Sequence, residues 1–374
     1  MTPTLEDRFW DALEPAVRRE LAHAPRARLA PGRFTARGLR AAASVAVVLL
    51  ALAAGVAVLA ALARHAPQPA QPAPTTVETV DVGTALGDAA VGYGAVWTYD
   101  IAAAQLLRVD PSTRQVAERL SVPTPYLDVA VATGAGGVWA VPIHGTGHMA
   151  TATPSHPLVL LRFDPESGRQ VARIPVRVPG SAPIVPYGIA AADDGVWVWG
   201  QGAAMRVDPR TDRVNGVVRV PGDVIKGFAI AQDSIWVATE LGRVQRFDAR
   251  TTERLAAFRG RPLSHTVPLV VMPQAVVIDG QDGMLYARDP ATGRPLWRVP
   301  IAGGVRSALA ADGRVWILTA SSASTRQELV ALDPDTGRAV VRIGLPTGDG
   351  VSLQAVGSDL WVTSGSGGVH IVHP

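Results

Sequence analysis

The 374-residue chain has no cysteine. That absence excludes disulfides, thiolate metal sites, a cysteine nucleophile and a cysteine-linked lipid anchor. Lysine is nearly absent as well: Lys226 is the only one, and arginine supplies every other fixed basic side chain. No phosphate-binding glycine loop, nucleophile motif or paired-carboxylate arrangement stands out. Net charge is also lacking over most of the chain. The total is +3, and eight arginines against five acidic residues in 1–40 account for all of it. The neutral remainder carries no electrostatic footprint for nucleic acid.

An apolar run is present instead. Residues 41–63 contain neither a charge nor a proline. As a helix this run spans about 35 Å, slightly more than the ~30 Å hydrocarbon layer. A helix also satisfies its own backbone groups in lipid. Arg26, Arg28, Arg33, Arg37 and Arg40 precede the run, whereas only Arg64 and His65 follow closely. This asymmetry places the N-terminus in the cytoplasm and the rest of the chain outside the cell membrane, as a single-pass protein. The competing reading is a cleaved signal peptide ending at Ala61-Leu62-Ala63, against which residues 1–40 make an unusually long leading segment.

The expected organisation is therefore a basic cytoplasmic tail (1–40), a transmembrane helix (41–63), a proline-rich linker (64–76) and an exported domain (77–374). Pro67, Pro69, Pro72 and Pro74 favour an extended spacer. In the tail, Leu5, Phe9, Trp10, Leu13, Val17 and Leu21 share one helical face. That stripe suits either the inner membrane surface or a cytoplasmic partner of residues 1–21.

The exported part repeats. An apolar-Trp pair recurs as Val96-Trp97, Val138-Trp139, Val196-Trp197, Ile235-Trp236, Val315-Trp316 and Leu360-Trp361, with Val276-Val277 in the fifth place. Successive markers lie 42, 58, 39, 41, 39 and 45 residues apart. A period near 40 residues built of short strands is that of a propeller blade. Each unit but the last continues into a strand ending in Asp, mostly Asp-Pro, as in Arg108-Val109-Asp110-Pro111 and Ala331-Leu332-Asp333-Pro334. Three of these run on to Gly168, Gly293 and Gly337. Asp accepting local N–H groups, Pro fixing φ and Gly in the left-handed position make this a hairpin turn rather than a catalytic motif. The seventh unit stops at Pro374 without a fourth strand, while residues 77–83 look like a fourth strand with no unit before them. Pairing the two closes the ring and removes two open edges. The fold expected is all-β: a seven-bladed propeller of four-stranded blades, closed by its N-terminal strand and preceded by one transmembrane helix.

These repeats resemble YVTN-type and streptogramin-lyase-like propellers. The segments 285–293 and 329–337, both ending in Asp-Pro-x-Thr-Gly, are similar to the pyrroloquinoline-quinone repeat. The resemblance covers residues 77–374 and implies the fold; such blades carry enzymes and binding modules alike. No quinone or other cofactor is expected, because the match is confined to scaffolding. Lyase activity would need a histidine and an acid together on the top face, and no such pair can be matched.

Ten residues before each marker lies the start of the innermost strand, at the channel mouth. That position holds Gly87, Tyr187, Lys226, Val267, Arg306 and Val351, and in the second unit it falls beside Tyr126 and Leu127. Tyr126, Tyr187, Lys226, His265 and Arg306 form the candidate ligand-binding set, suited to a carboxylate, a phosphate or an acidic protein side chain. His144, His148 and His156, in the long connection of the second unit, are weak candidates for a metal, and a plain insertion is the favoured reading of that connection. Residues 279–283 are read as a tight turn rather than a calcium loop. The function expected is a non-catalytic, membrane-anchored extracytoplasmic binding or sensing module for a protein or small anion. The alternative is a lyase or hydrolase on the top-face loops.

Overall fold

The computed structural model describes residues 76–122, 128–143, 158–177, 184–231, 233–319, 326–346 and 348–374. The tail, the apolar run and nearly all of the linker lie outside them, as do Tyr126, His144, His148 and His156. Among the described residues no helix is long and apolar enough to cross a membrane. The chain divides into two units, Met1–Gln71 and Pro72–Pro374, and all strands among the described residues lie in the second.

Twenty-six strands form six antiparallel sheets among the described residues. Strand β1 (Thr76–Asp81) belongs to the last sheet. The first sheet holds β2 (Leu86–Gly92), β3 (Ala95–Asp100), β4 (Gln105–Asp110) and β5 (Gln115–Ser121). The second holds β6 (Val129–Gly134), β7 (Gly137–Pro142), β8 (Val159–Phe163) and β9 (Gln170–Pro175). A six-stranded sheet comes next: β10 (Pro186–Ala192), β11 (Gly195–Asp208), β12 (Arg213–Ala231), β13 (Ser234–Thr239), β14 (Arg243–Asp248) and β15 (Arg254–Arg259). The next two sheets are β16 (Leu269–Val271) to β19 (Pro295–Pro300), through β17 (Val276–Asp279) and β18 (Met284–Arg288), and β20 (Val305–Ala311) to β23 (Ala339–Gly344), through β21 (Arg314–Thr319) and β22 (Glu328–Leu332). The last joins β24 (Gly350–Val356), β25 (Asp359–Ser364) and β26 (Gly368–His373) to β1.

The architecture is thus an all-β propeller, with six sheets in place of the seven separate blades expected. The third and fourth sequence units are not divided. Strand β12 runs unbroken through both, pairing with β11 from Arg213 to Val224 and with β13 from Ile225 onward. The strands that open each sequence unit still touch in a closed round: β2, β6, β10, β12, β16, β20, β24 and back to β2.

The marker tryptophans hold successive units together. Trp97, Trp139, Trp197, Trp236, Trp316 and Trp361 are all buried on the second strand of their unit. Each packs into the following unit: Trp139 against Val196, Val198 and Met205, and Trp361 against Leu86, Val96 and Leu107 of the first. In four units the Arg of the strand-three motif lies over its own marker ring, Arg108, Arg162, Arg206 and Arg246 at 5.7, 5.0, 5.9 and 5.5 Å. A cation over an indole face adds about 0.5–2 kcal/mol where it is desolvated.

The Asp hairpins form as expected. Asp289 accepts the Thr292 N–H (2.7 Å) and hydroxyl (2.8 Å), and Asp333 accepts the Thr336 N–H (2.8 Å) and hydroxyl (2.7 Å). These bonds hold both carboxyls below the usual carboxylate range. Gly337 has φ +70°, and a Cβ there would lie 2.6 Å from the Trp297 ring of the preceding sheet. Glycine is required there by backbone conformation and packing together.

Ring closure is by the N-terminal strand. β1 pairs antiparallel with β26, from Thr76 opposite His373 to Asp81 opposite Gly368. Two further N–H groups, of Val82 and Gly83, donate to the Gly367 carbonyl. The last sheet thereby gains its fourth strand from the opposite end of the domain.

Candidate functional site

In five of the seven units the position ten residues before the marker coincides with a backbone irregularity. Register shifts fall between Leu86 and Ala89, Pro186 and Gly188, Ile225 and Gly227, Val305 and Ser307, and Gly350 and Ser352. The intervening residues are Gly87 with Asp88, then Tyr187, Lys226, Arg306 and Val351. A bulge inserts one residue into a strand and re-aims its side chain. The same device, at the same register, thus presents a different side chain from each of five channel strands at one end of the ring.

Tyr187 and Lys226 are brought together on neighbouring strands. The Lys226 ammonium lies 5.1 Å from the Tyr187 ring centroid and 3.3 Å from Glu240 Oε2. Lys226 is only 8% exposed. It is a strand residue whose stem is enclosed and whose charge already has a carboxylate partner. Arg306 is exposed, two strands further round the ring. Its charge acts on Asp128 across the channel, offsetting part of the burial that pushes the Asp128 carboxyl up. His265 sits on the exposed connection before β16, with Nδ1 3.2 Å from Ser264 Oγ and its carbonyl accepting Gln281 Nε2 at 2.8 Å. It leans on the 279–283 turn, which is a turn indeed: Gln281 N–H donates to Asp279 Oδ1 at 2.8 Å and Gly280 N–H to the Met284 carbonyl at 3.0 Å.

Sequence reasoning missed Asp88. It is the one charged residue in the otherwise small and apolar strand β2, and that isolation was the available signal. Its carboxyl accepts the Val131 N–H of the second sheet at 3.1 Å and the Ser352 hydroxyl of the last at 3.0 Å. Burial pushes its pKa up to about 6, with the Asp128 charge adding a smaller push. Gln354 Nε2 donates to the Ala89 carbonyl at 2.7 Å, and the Thr363 hydroxyl to that of Gly87 at 2.8 Å. These bonds line the seam where the last sheet meets the first. Among the described residues no group of three or more His, Asp or Glu is placed to hold a metal ion.

The opposite end of the channel differs. Its strand turns carry Tyr93 at φ +53° and Ala135 at φ +50°. They border an open cleft of about 270 Å³ lined by Val91, Tyr93, Thr133 and Asp193.

The family profile described as "Outer membrane protein assembly factor BamB" matches residues 158–303 and 242–372, together more than half of the chain. No curated protein matches the sequence. Among solved structures, BamB from Moraxella catarrhalis is similar at 17% identity and TM-score 0.53, over 79% of this chain and 83% of that one. The β-propeller domain of Myceliophteria thermophila Cps50 (Swd1) gives 13% identity and TM-score 0.62, over 80% and 100%. A chain of the Mitotic Checkpoint Complex gives 12% and 0.63, over 82% and 95%. At these identities the structures bear on fold alone, and the PQQ-type features of the repeat are the part of the resemblance that the family match carries.

Proposed function

The chain belongs to the family described as outer membrane protein assembly factor BamB, and from that premise we propose that it is a non-catalytic, protein-binding propeller held outside the cytoplasmic membrane by its own N-terminal helix. The observation that carries the binding reading is the ring of bulged positions. One backbone device, used five times, sets Tyr187, Lys226, Arg306 and their neighbours at one end of the channel. A rigid platform bearing varied side chains is how a scaffold presents a recognition surface. The exposed Arg306 guanidinium is the cation in this set best able to take a partner's carboxylate, since Lys226 is engaged by Glu240. Anchoring rests on the uncharged run 41–63 and the arginines before it, with 64–76 as the spacer.

The test is recovery of the full chain from membranes, wild type beside Arg306→Glu and Tyr93→Ala. Loss of a co-purifying protein in Arg306→Glu, with retention in Tyr93→Ala, supports the reading. Equal recovery in all three contradicts it.

A further inference from the structure

The cleft at the hairpin end of the channel forms where the turns between the first and second strands of the first three units meet. One repeat position, four residues before the marker tryptophan, supplies Tyr93, Ala135 and Asp193 to its lining in turn. In the sixth and seventh units that position holds Asp312 at φ +50° and Gly357 at φ +61°. Aspartate and glycine tolerate this left-handed backbone, and tight hairpin turns select them. Tyr93 adopts the same conformation at φ +53°. A bulky side chain there is an outlier that the turn itself does not require. The turn is also held in place, since Trp97 Nε1 donates to the Gly92 carbonyl at 3.2 Å.

Internal packing does not account for the ring either. Tyr93 is 42% exposed, and its neighbour in the cleft, Val91, 37%. Among the described residues neither the Tyr93 hydroxyl nor the Asp193 carboxylate has a hydrogen-bond or ion-pair partner. Two guanidinium groups lie near the cleft, and both are engaged. Arg162 donates to the carbonyls of Gly136 at 3.1 Å and Pro209 at 2.6 Å, with Asp212 at 3.3 Å. Arg206 donates to the Ala249 carbonyl at 2.7 Å and Asn215 Oδ1 at 2.9 Å, with Asp194 at 3.8 Å. The cleft therefore combines an aromatic ring, an aliphatic side chain and an uncompensated carboxylate.

We propose that this cleft binds a small organic cation, an alkylammonium, whose charge is shared by the Tyr93 ring and Asp193 and whose carbon chain lies against Val91. An aromatic face and a carboxylate both attract a cation, and neither favours an anion. The volume of about 270 Å³ suits a free amine of a few carbons rather than a folded partner. Protein recognition at the other end of the channel is a separate matter, and either can fail without the other.

The experiment titrates the full-length protein with butylammonium by saturation-transfer NMR, beside butanol as its uncharged counterpart. The expected result is saturable binding of butylammonium and none of butanol. Tyr93→Gly and Asp193→Asn should each weaken binding about tenfold. Tyr93→Phe keeps the ring face and should stay within about twofold of wild type. Asp312→Asn, at the same turn position outside the cleft, should leave binding unchanged. Tyr93→Gly should also keep or raise the melting temperature, because glycine relieves the left-handed backbone, which separates lost binding from lost folding. Four results overturn the proposal: no saturable binding of butylammonium, equal binding of butanol, equal weakening by Asp193→Asn and Asp312→Asn, or Tyr93-dependent binding of a lysine-containing peptide while butylammonium shows none.

Discussion

The two ends of the propeller use repetition in opposite ways. At the end with the Asp hairpins the same residues recur in unit after unit: Asp110, Asp164, Asp248, Asp289 and Asp333 each accept the N–H groups of their own turn. On the adjoining strands, arginines lie over marker tryptophans. At the other end the backbone recurs, with a bulge at one register in five strands, and the side chains differ: Gly87, Tyr187, Lys226, Arg306 and Val351. Where side chains repeat they build the scaffold. Where only the backbone repeats, the fold offers positions that can vary without disturbing it.

The sharpest way to test the scaffold side is to open the ring. Removing residues 76–81 leaves the β26 edge unpaired, and loss of a single cooperative melt together with aggregation is expected. Removing as many residues from the proline-rich linker should leave the melt unchanged, read by circular dichroism. Equal damage from both deletions would remove the closing role from β1.

A single marker should cost less than the ring but still a great deal. Trp139 is fully buried, donates to the Gly134 carbonyl at 3.0 Å and carries the Arg162 cation. Trp139→Ala should destabilise the fold by about 3–5 kcal/mol in a urea melt. A loss below about 1 kcal/mol would show that the repeated tryptophans do not hold the sheets together.

Asp88 lies at the seam between these regimes, and its effect depends on pH. Its folded pKa, about 6, stands above the ordinary 3.8. The folded state therefore binds the proton more tightly. This contribution is fully present below about pH 4 and is lost as pH rises through about 6. At pH 7.5 the buried charge costs about 2 kcal/mol after allowance for partial solvent access. Asp88→Asn should thus raise the melting temperature at pH 7.5 and do little at pH 4. The same gain at both values would place the carboxylate in water rather than in the seam.

Much of this was legible in the sequence, and the part that was not has a physical reason. The hairpins are local: Asp, Pro, Thr and Gly within five residues state their own geometry. The closing strand was legible because residues 77–83 and the truncated last unit each lacked what the other had. The division into separate blades was not, since nothing local reveals that β12 continues through Pro221 and Gly222 from one unit into the next. The mouth positions were found by counting from the tryptophans, but the bulge that aims them is a matter of pairing between strands and leaves no mark in one strand alone. Lys226 was placed correctly along the chain, and its enclosure by Tyr187 and Glu240 depends on residues 39 and 14 positions away. The Arg–Trp stacks did leave a signal, the Arg two residues before Asp in units one to four. Ala287 and Ala331 replace it opposite Val277 and Trp316.

The smallest expected change in stability belongs to the variable end, and the most direct test of recognition lies there. A photo-crosslinking residue is placed at position 306 or 187, and in separate proteins at position 93 or 135 on the opposite end, in the full chain in its membrane. The proteins labelled at the exposed positions 306 and 93 should melt within a few degrees of wild type, because surface substitutions typically change stability by about 0.5 kcal/mol or less. Position 135 is buried and position 187 packs on the core, so those two are expected to lose more. A discrete crosslinked protein is expected from 306 and 187 and none from 93 and 135. Crosslinks from 93 and 135 alone would contradict the assignment, placing recognition at the end given to the scaffold.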